Sequence, residues 1–229
     1  MLKLSGEVLA GDGGSGLDDQ VLLQVASELV RAIDAGARLA VVLGGGNIFR
    51  GLSSAAKDMD RVTADQMGML ATVINGLALK DAMQRIGGKA ALFTAFPIGA
   101  VGKPYRRDDV RDAMDDGALA ILSGGTGNPF FSTDSAAALR AAELGCEVLL
   151  KGTKVDGVYD KDPARFEDAK RFDTLTLDEL LKRRLGVVDL TAATLCRENR
   201  ISLRVYKMTE KDIIFRIATG ELCGTLVTP

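Results

Sequence analysis

Five short aliphatic runs punctuate the chain: Leu39 to Leu43, Ala90 to Thr94, Ala118 to Leu122, Val148 to Leu150 and Leu203 to Tyr206. Each is too short for a helix and mostly apolar, with Arg204 the one charged residue among them, the pattern of a buried strand. Longer amphipathic stretches lie between them. Leu22, Val25, Leu29 and Ile33 predict one apolar helix face, and Leu70, Ile74 and Leu77 predict another in a helix from Arg61 to about Arg85. Strands alternating with helices define an α/β protein, a largely parallel sheet covered on both sides. In such sheets ligands bind beyond the carboxyl ends of the strands. The polar stretch Glu167 to Asp178 reads as a loop before a helix around Leu180, and no internal repeat or low-complexity tract is present.

Glycines collect where those strands end. Leu4-Ser5-Gly6 follows the first apolar residues, Gly44-Gly45-Gly46-Asn47 the next run, Gly124-Gly125-Thr126-Gly127-Asn128 a later one, and Lys151-Gly152-Thr153 another. GGGN followed by Arg50 and Gly51 suits an anion cradle, because glycine lets backbone N–H groups approach a phosphate and a helix start adds positive potential. Arg50 could then pair a phosphoryl oxygen, although a tight strand-to-helix turn with a surface arginine has the same letters. The chain lacks GxxxxGK[ST] and any strand-linked GxGxxG, so neither a P-loop nor a dinucleotide fold is indicated. Lys3 at the first strand suits charge neutralisation in phosphoryl transfer, or is a solvated terminal lysine. Asp134 is either a helix N-cap or an acceptor turned towards phosphates. Asp65 is either a helix-surface carboxylate or part of a site. Thr153, Tyr159 and Asp162 lie in GTKVDGVYDKDP, which is either a surface excursion or a floor and rim for a base and ribose. The loop GTGNPFFSTD, residues 125–134, places Phe130 and Phe131 between a turn and a hydroxyl-rich helix start, as an acceptor wall or as a core anchor.

Composition narrows the chemistry. The 229 residues, 47% hydrophobic and 26% charged, suit one domain spanning 1–229. A net charge of −2 argues against a nucleic-acid surface, and the nearest approach to one, Lys103 to Arg111, is interrupted by Asp108 and Asp109. With no histidine, imidazole-dependent catalysis is excluded and carboxylates, lysines, backbone amides or a bound metal must serve. Cys146, Cys196 and Cys223 are scattered without a CxxC, which fits a reducing compartment. No apolar run reaches the ~18 residues of a membrane span and no signal-peptide pattern opens the chain, so a cytoplasmic protein is expected.

Taken in order, KLSGE, GGGNIFRG, DQMGMLATVINGLAL, GTGNPFFSTD, KGTKVDGVYDKDP and the closing GTLV resemble the bacterial uridylate kinases of the amino acid kinase family. The resemblance spans essentially the whole chain, and GTGNPFF with GGGN-x-FRG is its most specific part. It implies a three-layer αβα sandwich, transfer of the ATP γ-phosphoryl group to UMP giving UDP and ADP in pyrimidine nucleotide biosynthesis, and Mg²⁺ brought with ATP. It also implies a homohexamer, activation by GTP and inhibition by UTP. Residue by residue, it places Lys3, Leu4, Ser5, Gly6, Gly46 and Arg50 at the ATP phosphates, and Thr153, Tyr159 and Asp162 at the adenosine. Gly45, Asp65, Thr126, Gly127, Asn128, Pro129, Phe130, Phe131, Ser132 and Thr133 fall at UMP-binding positions. Lys3, Asp134 and Arg50 match catalytic positions, and Asp189 a position near the crevice. Gly11, Asp12, Gly13, Gly14, Ser15 and Gly16 fall on the GTP-responsive segment. The acceptor side would be N-terminal and the ATP side C-terminal, with no residue of the chain singled out as a metal ligand. Only Met1 and Leu2 precede Lys3, fewer residues than the family usually has there. The resemblance leaves two rivals: a relative phosphorylating a carboxylate or carbamate, which needs no aromatic pair at the acceptor, and a nucleotide-binding regulator without activity.

Overall fold

The computed structural model describes residues 1–49 and 59–229. Its strands are β1 (Leu2–Leu4), β2 (Ala40–Leu43), β3 (Ala90–Thr94), β4 (Lys103–Pro104), β5 (Leu119–Ser123), β6 (Val148–Thr153), β7 (Val158–Tyr159), β8 (Arg171–Phe172), β9 (Thr174–Thr176), β10 (Ser202–Lys207) and β11 (Thr225–Thr228). Its helices are α1 (Gly6–Leu9), α2 (Asp19–Asp34), α3 (Arg61–Arg85), α4 (Arg107–Asp115), α5 (Thr133–Leu144), α6 (Leu177–Arg183), α7 (Leu190–Glu198) and α8 (Ile213–Ala218). Nine strands form one sheet in the order β4-β3-β5-β2-β1-β6-β10-β11-β9, while β7 and β8 pair as a separate antiparallel ribbon. Every neighbouring pair in the large sheet is parallel except β10 with β11.

The two-residue period of a strand divides the core. Ala40 and Val42 of β2 and Ala120 and Leu122 of β5 pack with α4, α5, α6 and α7 on one side. Val41, Leu43, Leu119 and Ile121 pack with α2, α3 and α8 on the other, giving the three αβα layers. All five predicted strands are present. The polar stretch Glu167 to Asp178 differs from its loop reading: it holds β8 and β9, the latter completing the sheet edge beside β11. Strands this short carry too little pattern to stand out from polar neighbours.

Helix α3 has the predicted bounds but the opposite orientation. Leu70, Ile74 and Leu77 are 48%, 46% and 41% exposed, and the face against the sheet is instead Ala71, Thr72, Asn75, Gly76, Leu79 and Met83. The reason is proximity. A Cβ on Gly76 would lie 2.4 Å from Ser123 Oγ and 2.8 Å from Leu92 Cδ1, so the contact admits small or polar residues and turns the larger aliphatics outward.

The chain leaves β1 for β2, β5, β3 and β4 on one side and later returns to build β6, β10, β11 and β9 on the other. The boundary between β1 and β6 is therefore the switch point at which α/β sheets open a ligand crevice.

Candidate active site

Three charged side chains meet at that boundary. Lys3 in β1 is the lateral neighbour of Lys151 in β6. Both point to the α5 face, because their flanking residues Leu2, Leu4 and Leu150 belong to the opposite core. Asp134, in the first turn of α5, stands between them. Its Oδ1 lies 2.9 Å from Lys3 Nζ, and its Oδ2 accepts a hydrogen bond from Lys151 Nζ. The three side chains are only 12–13% exposed. Oδ1 is in charge contact with Lys3 but without the alignment of a hydrogen bond, so one buried carboxylate oxygen lacks a donor. Burial pushes the Asp134 carboxyl up, but the Lys3 and Lys151 ammoniums together pull it below the ordinary carboxylate value. Burial likewise pushes Lys151 down; Asp134 draws it back up and Lys3 pushes it down again, leaving it below the ordinary lysine value.

Helix α5 reaches this point because Ala136, Ala137, Ala138 and Ala141 are completely buried, letting the helix lie close to the sheet. Ser132, not Asp134, is its N-cap, accepting from the amides of Asp134 and Ser135. Asp189 fixes the same turn. It caps α7 by accepting from Ala192 N–H at 2.8 Å and also accepts from the hydroxyls of Ser132 and Ser135. Asp189 is thus a helix cap that also braces the first turn of α5.

Two glycine loops flank the cluster, and α3 holds both. Asn75 donates to Gly44 O at 2.6 Å and exchanges amide hydrogen bonds with Asn47. One turn earlier, Thr72 Oγ1 accepts from Gly124 N–H at 2.8 Å, while Ser123 Oγ donates to Thr72 O. Gly44, Gly45 and Gly46 keep φ negative, so their small size serves close packing: a Cβ on Gly45 would meet Ala71 Cβ and Gly68 O at 2.8 Å. No helix follows GGGN within the described residues; it turns at 46–48, with Ile48 N–H and Phe49 N–H donating to Gly45 O. The second loop uses φ directly, since Gly124, Gly125 and Gly127 are left-handed.

Between the loops and α3 lies a cavity lined by Gly45, Gly46, Asp65, Thr126, Asn128, Phe131 and Thr133, together with Gly68, Met69, Thr72 and Gly125. Gly127, Pro129, Phe130 and Ser132 shape the loop without lining the cavity. Phe130 and Phe131 are 66% and 53% exposed, so neither anchors the core. Phe130 adopts φ 71°, donates its amide to Asp65 at 2.7 Å and lies under the Arg61 guanidinium, leaving Phe131 to face the cavity. A second cavity contains Tyr159 and Asp162 with Pro163, Arg183, Gly186 and Val187. Tyr159 donates to Asp156, and Asp162 accepts from Ala164 N–H. Thr153 ends β6 just before it, with its hydroxyl turned to Val155 O.

Leu4 is fully buried on the far side of the sheet, so only its backbone is near the crevice, where its carbonyl accepts from Gly44 N–H. Ser5 precedes α1, and Gly6 packs where a Cβ would lie 2.3 Å from Asn47 Oδ1. Gly11, Asp12 and Gly13 form a 3₁₀ turn, followed by left-handed Gly14, by Ser15 and by left-handed Gly16. Gly16 is clamped to Asn47 by two hydrogen bonds. Arg50 lies outside the described residues. The sequence reading missed Lys151, Thr72 and Asn75; the only signal for Lys151 was its place at a glycine-bearing strand end.

The amino acid kinase family profile matches residues 1–207, and the chain belongs to that family. Among its relatives, a uridylate kinase of Xanthomonas oryzae pv. oryzae is 51% identical over 227 residues, covering 99% of this chain and 95% of the relative. The solved UMP kinase of Bacillus anthracis superposes with a TM-score of 0.94 at 34% identity, covering 99% of this chain and 94% of that one. The UMP kinase of Ureaplasma parvum does so with 0.92 at 34%, covering 100% and 97%.

Proposed function

We infer that this protein is a nucleoside monophosphate kinase that transfers the γ-phosphoryl group of ATP to UMP, giving UDP and ADP for pyrimidine nucleotide biosynthesis. The observation that carries this is the buried cluster of Lys3, Asp134 and Lys151 at the sheet's switch point, beside a glycine-lined acceptor cavity. The relatives named above carry the same activity in their names. An acceptor phosphate is already nucleophilic near neutral pH, so the reaction needs positioning and charge neutralisation rather than an imidazole base. A chain without histidine is suited to it.

In this reading UMP occupies the cavity of Gly45, Asp65 and residues 126–133, with Phe131 against the base and the amides of the Gly125 turn near the phosphate. ATP lies across the cluster, its phosphates at Lys3, Ser5, Gly6, Gly46 and Arg50 and its adenosine at Thr153, Tyr159 and Asp162. Lys3 neutralises charge on the transferring group, and Asp134 holds its ammonium in place. One sheet running through the chain supports a single domain with an acceptor side and an ATP side.

Among the described residues no cluster of three acidic or sulfur ligands could build a metal cage. Asp134 and Asp189 already face lysines, hydroxyls and an amide. This donor set fits Mg²⁺ held chiefly by the ATP phosphates, where it would neutralise charge on the β- and γ-oxygens. The exposed Leu70, Ile74 and Leu77 support self-association into the homohexamer. The clamp between Gly16 and Asn47 supports a regulatory role for Gly11 to Gly16 in GTP activation, with UTP opposing it. Three free cysteines, and no helix among the described residues long and apolar enough to cross a membrane, support a cytoplasmic setting.

The test is coupled ADP release with UMP, CMP or glutamate as acceptor. ADP formed with UMP in preference to the others is expected. Turnover on glutamate would point to the carboxylate-phosphorylating rival, and tight UTP binding without ADP release on any acceptor would point to the regulator.

A further inference from the structure

Asn75 is completely buried and Asn47 nearly so, on a helix face that otherwise packs through Ala71, Leu79 and Met83. Two apolar side chains of similar size would seal that contact at less cost, since a buried amide is tolerated only when its donors and acceptors are met. Here they are met. Asn75 Nδ2 donates to Gly44 O at 2.6 Å and to Asn47 Oδ1 at 2.7 Å. Asn47 Nδ2 donates to Asn75 Oδ1 at 3.0 Å and to Gly16 O at 2.7 Å. All four amide protons are engaged, and turning either amide over would set oxygen against oxygen. The orientation of the pair is therefore fixed, and with it the direction of the Gly44 carbonyl.

The Gly44–Gly45 peptide is trans, so its N–H points opposite to its C=O. With Gly44 O held against α3, Gly45 N–H is turned away from that helix. Among the described residues this N–H has no acceptor, while Gly45 itself lines the cavity with Thr126 and Thr133. The β1 side closes in on the same peptide: a Cβ on Gly6 would lie 2.6 Å from Gly44 O and 2.3 Å from Asn47 Oδ1. Resting on the kinase reading above, we propose that Asn75, seated by Asn47, is a positioning residue that aims Gly45 N–H at the phosphate of UMP. The phosphate supplies the acceptor that the amide lacks, in a charge-assisted hydrogen bond. Asn75 touches neither nucleotide and acts through the peptide alone.

The test compares full-length wild type, Asn75→Leu and Asn75→Ala. Thermal unfolding sets a temperature at which each is folded; there, steady-state kinetics vary UMP and ATP in turn, and uridine, which lacks the phosphate, serves as a competitor of UMP. Both variants are expected to raise the KM for UMP by about 10- to 100-fold, the scale of one hydrogen bond to a charged group. The loss should fall on KM rather than kcat, because the contact is made before transfer begins and kept through it. The KM for ATP and the inhibition constant of uridine should stay within about threefold, under 1 kcal/mol of binding. An unchanged KM for UMP overturns the proposal, and so does uridine inhibition weakened in parallel with UMP, which would mean that the whole cavity has shifted. Failure of both variants to fold at any assay temperature also overturns it, since the amides would then hold the fold rather than aim the loop. Wild type that forms no ADP with UMP overturns the kinase reading itself, a separate outcome.

Discussion

Asp134 is the residue on which the most charge depends. Its folded carboxyl titrates below the ordinary value of 3.8, so its ion pairs contribute stability in full above that value, and the contribution is lost as pH falls through the lower folded value. Replacing it leaves two buried ammoniums without a partner, a change that costs about 3–5 kcal/mol when a buried pair is broken. Deprotonation of Lys151, already displaced downward, would offset part of that cost. Asp134→Asn is therefore expected to unfold at a lower temperature than wild type at neutral pH and to show a shallower decline from about pH 5 to pH 3. Thermal melts across that range are the check; parallel pH profiles for the two proteins would deny Asp134 this role. Lys3 and Asp134 were legible as candidates from their letters and neighbours. Lys151 was not, because it meets Lys3 and Asp134 through the lateral pairing of β1 with β6, two strands far apart in the chain, and no local pattern records which strands become neighbours.

At the scale of elements, the 125–131 loop and α3 together form the cavity proposed to take UMP. The sequence made the loop visible through its glycines, proline and paired phenylalanines, but could not say which phenylalanine faces inward. The structure separates them by backbone: left-handed Phe130 is spent on Asp65 and Arg61, and Phe131 lines the cavity. Covering a phenylalanine side chain is worth about 1.5–3 kcal/mol. Phe131→Ala should then raise the KM for UMP by about 10- to 100-fold, at 1.4 kcal/mol per tenfold. The KM for ATP should hardly change, and Phe130→Ala should have the smaller effect on UMP. Equal effects of both substitutions on UMP would refute this division of labour. The bounds of α3 were readable from its length and periodicity. Its orientation was not, since the usual rule that aliphatics face the core gives way where the sheet approaches closely enough to demand Gly76, and where Thr72 and Asn75 must reach the two glycine loops.

For the whole molecule, the outward stripe of Leu70, Ile74 and Leu77 is apolar surface that one copy leaves in water. In the proposed assembly, self-association through α3 would cover it, and the same helix lines the cavity proposed for UMP with Asp65 and Thr72 and braces the Gly44 loop with Asn75, so assembly and substrate binding would share one element. Ile74→Glu is predicted to lower the assembly's mass in analytical ultracentrifugation while the chain stays folded. An unchanged mass would place the interface elsewhere. The α/β class and its layers were legible because alternating aliphatic runs and amphipathic stretches are a whole-chain pattern. The sheet order, which puts β1 against β6 and so creates the crevice, is a property of the folded molecule alone.

The central claim is that phosphoryl transfer to UMP takes place at the lysine–aspartate–lysine cluster, and a single-turnover measurement with γ-labelled ATP tests it most directly. Wild type should move the label into UDP. Lys3→Ala should bind both nucleotides and remain folded yet transfer the label about 100-fold or more slowly, as expected for losing a group that stabilises developing charge. Transfer by Lys3→Ala at the wild-type rate, or label appearing in inorganic phosphate rather than UDP in the wild type, would contradict the account.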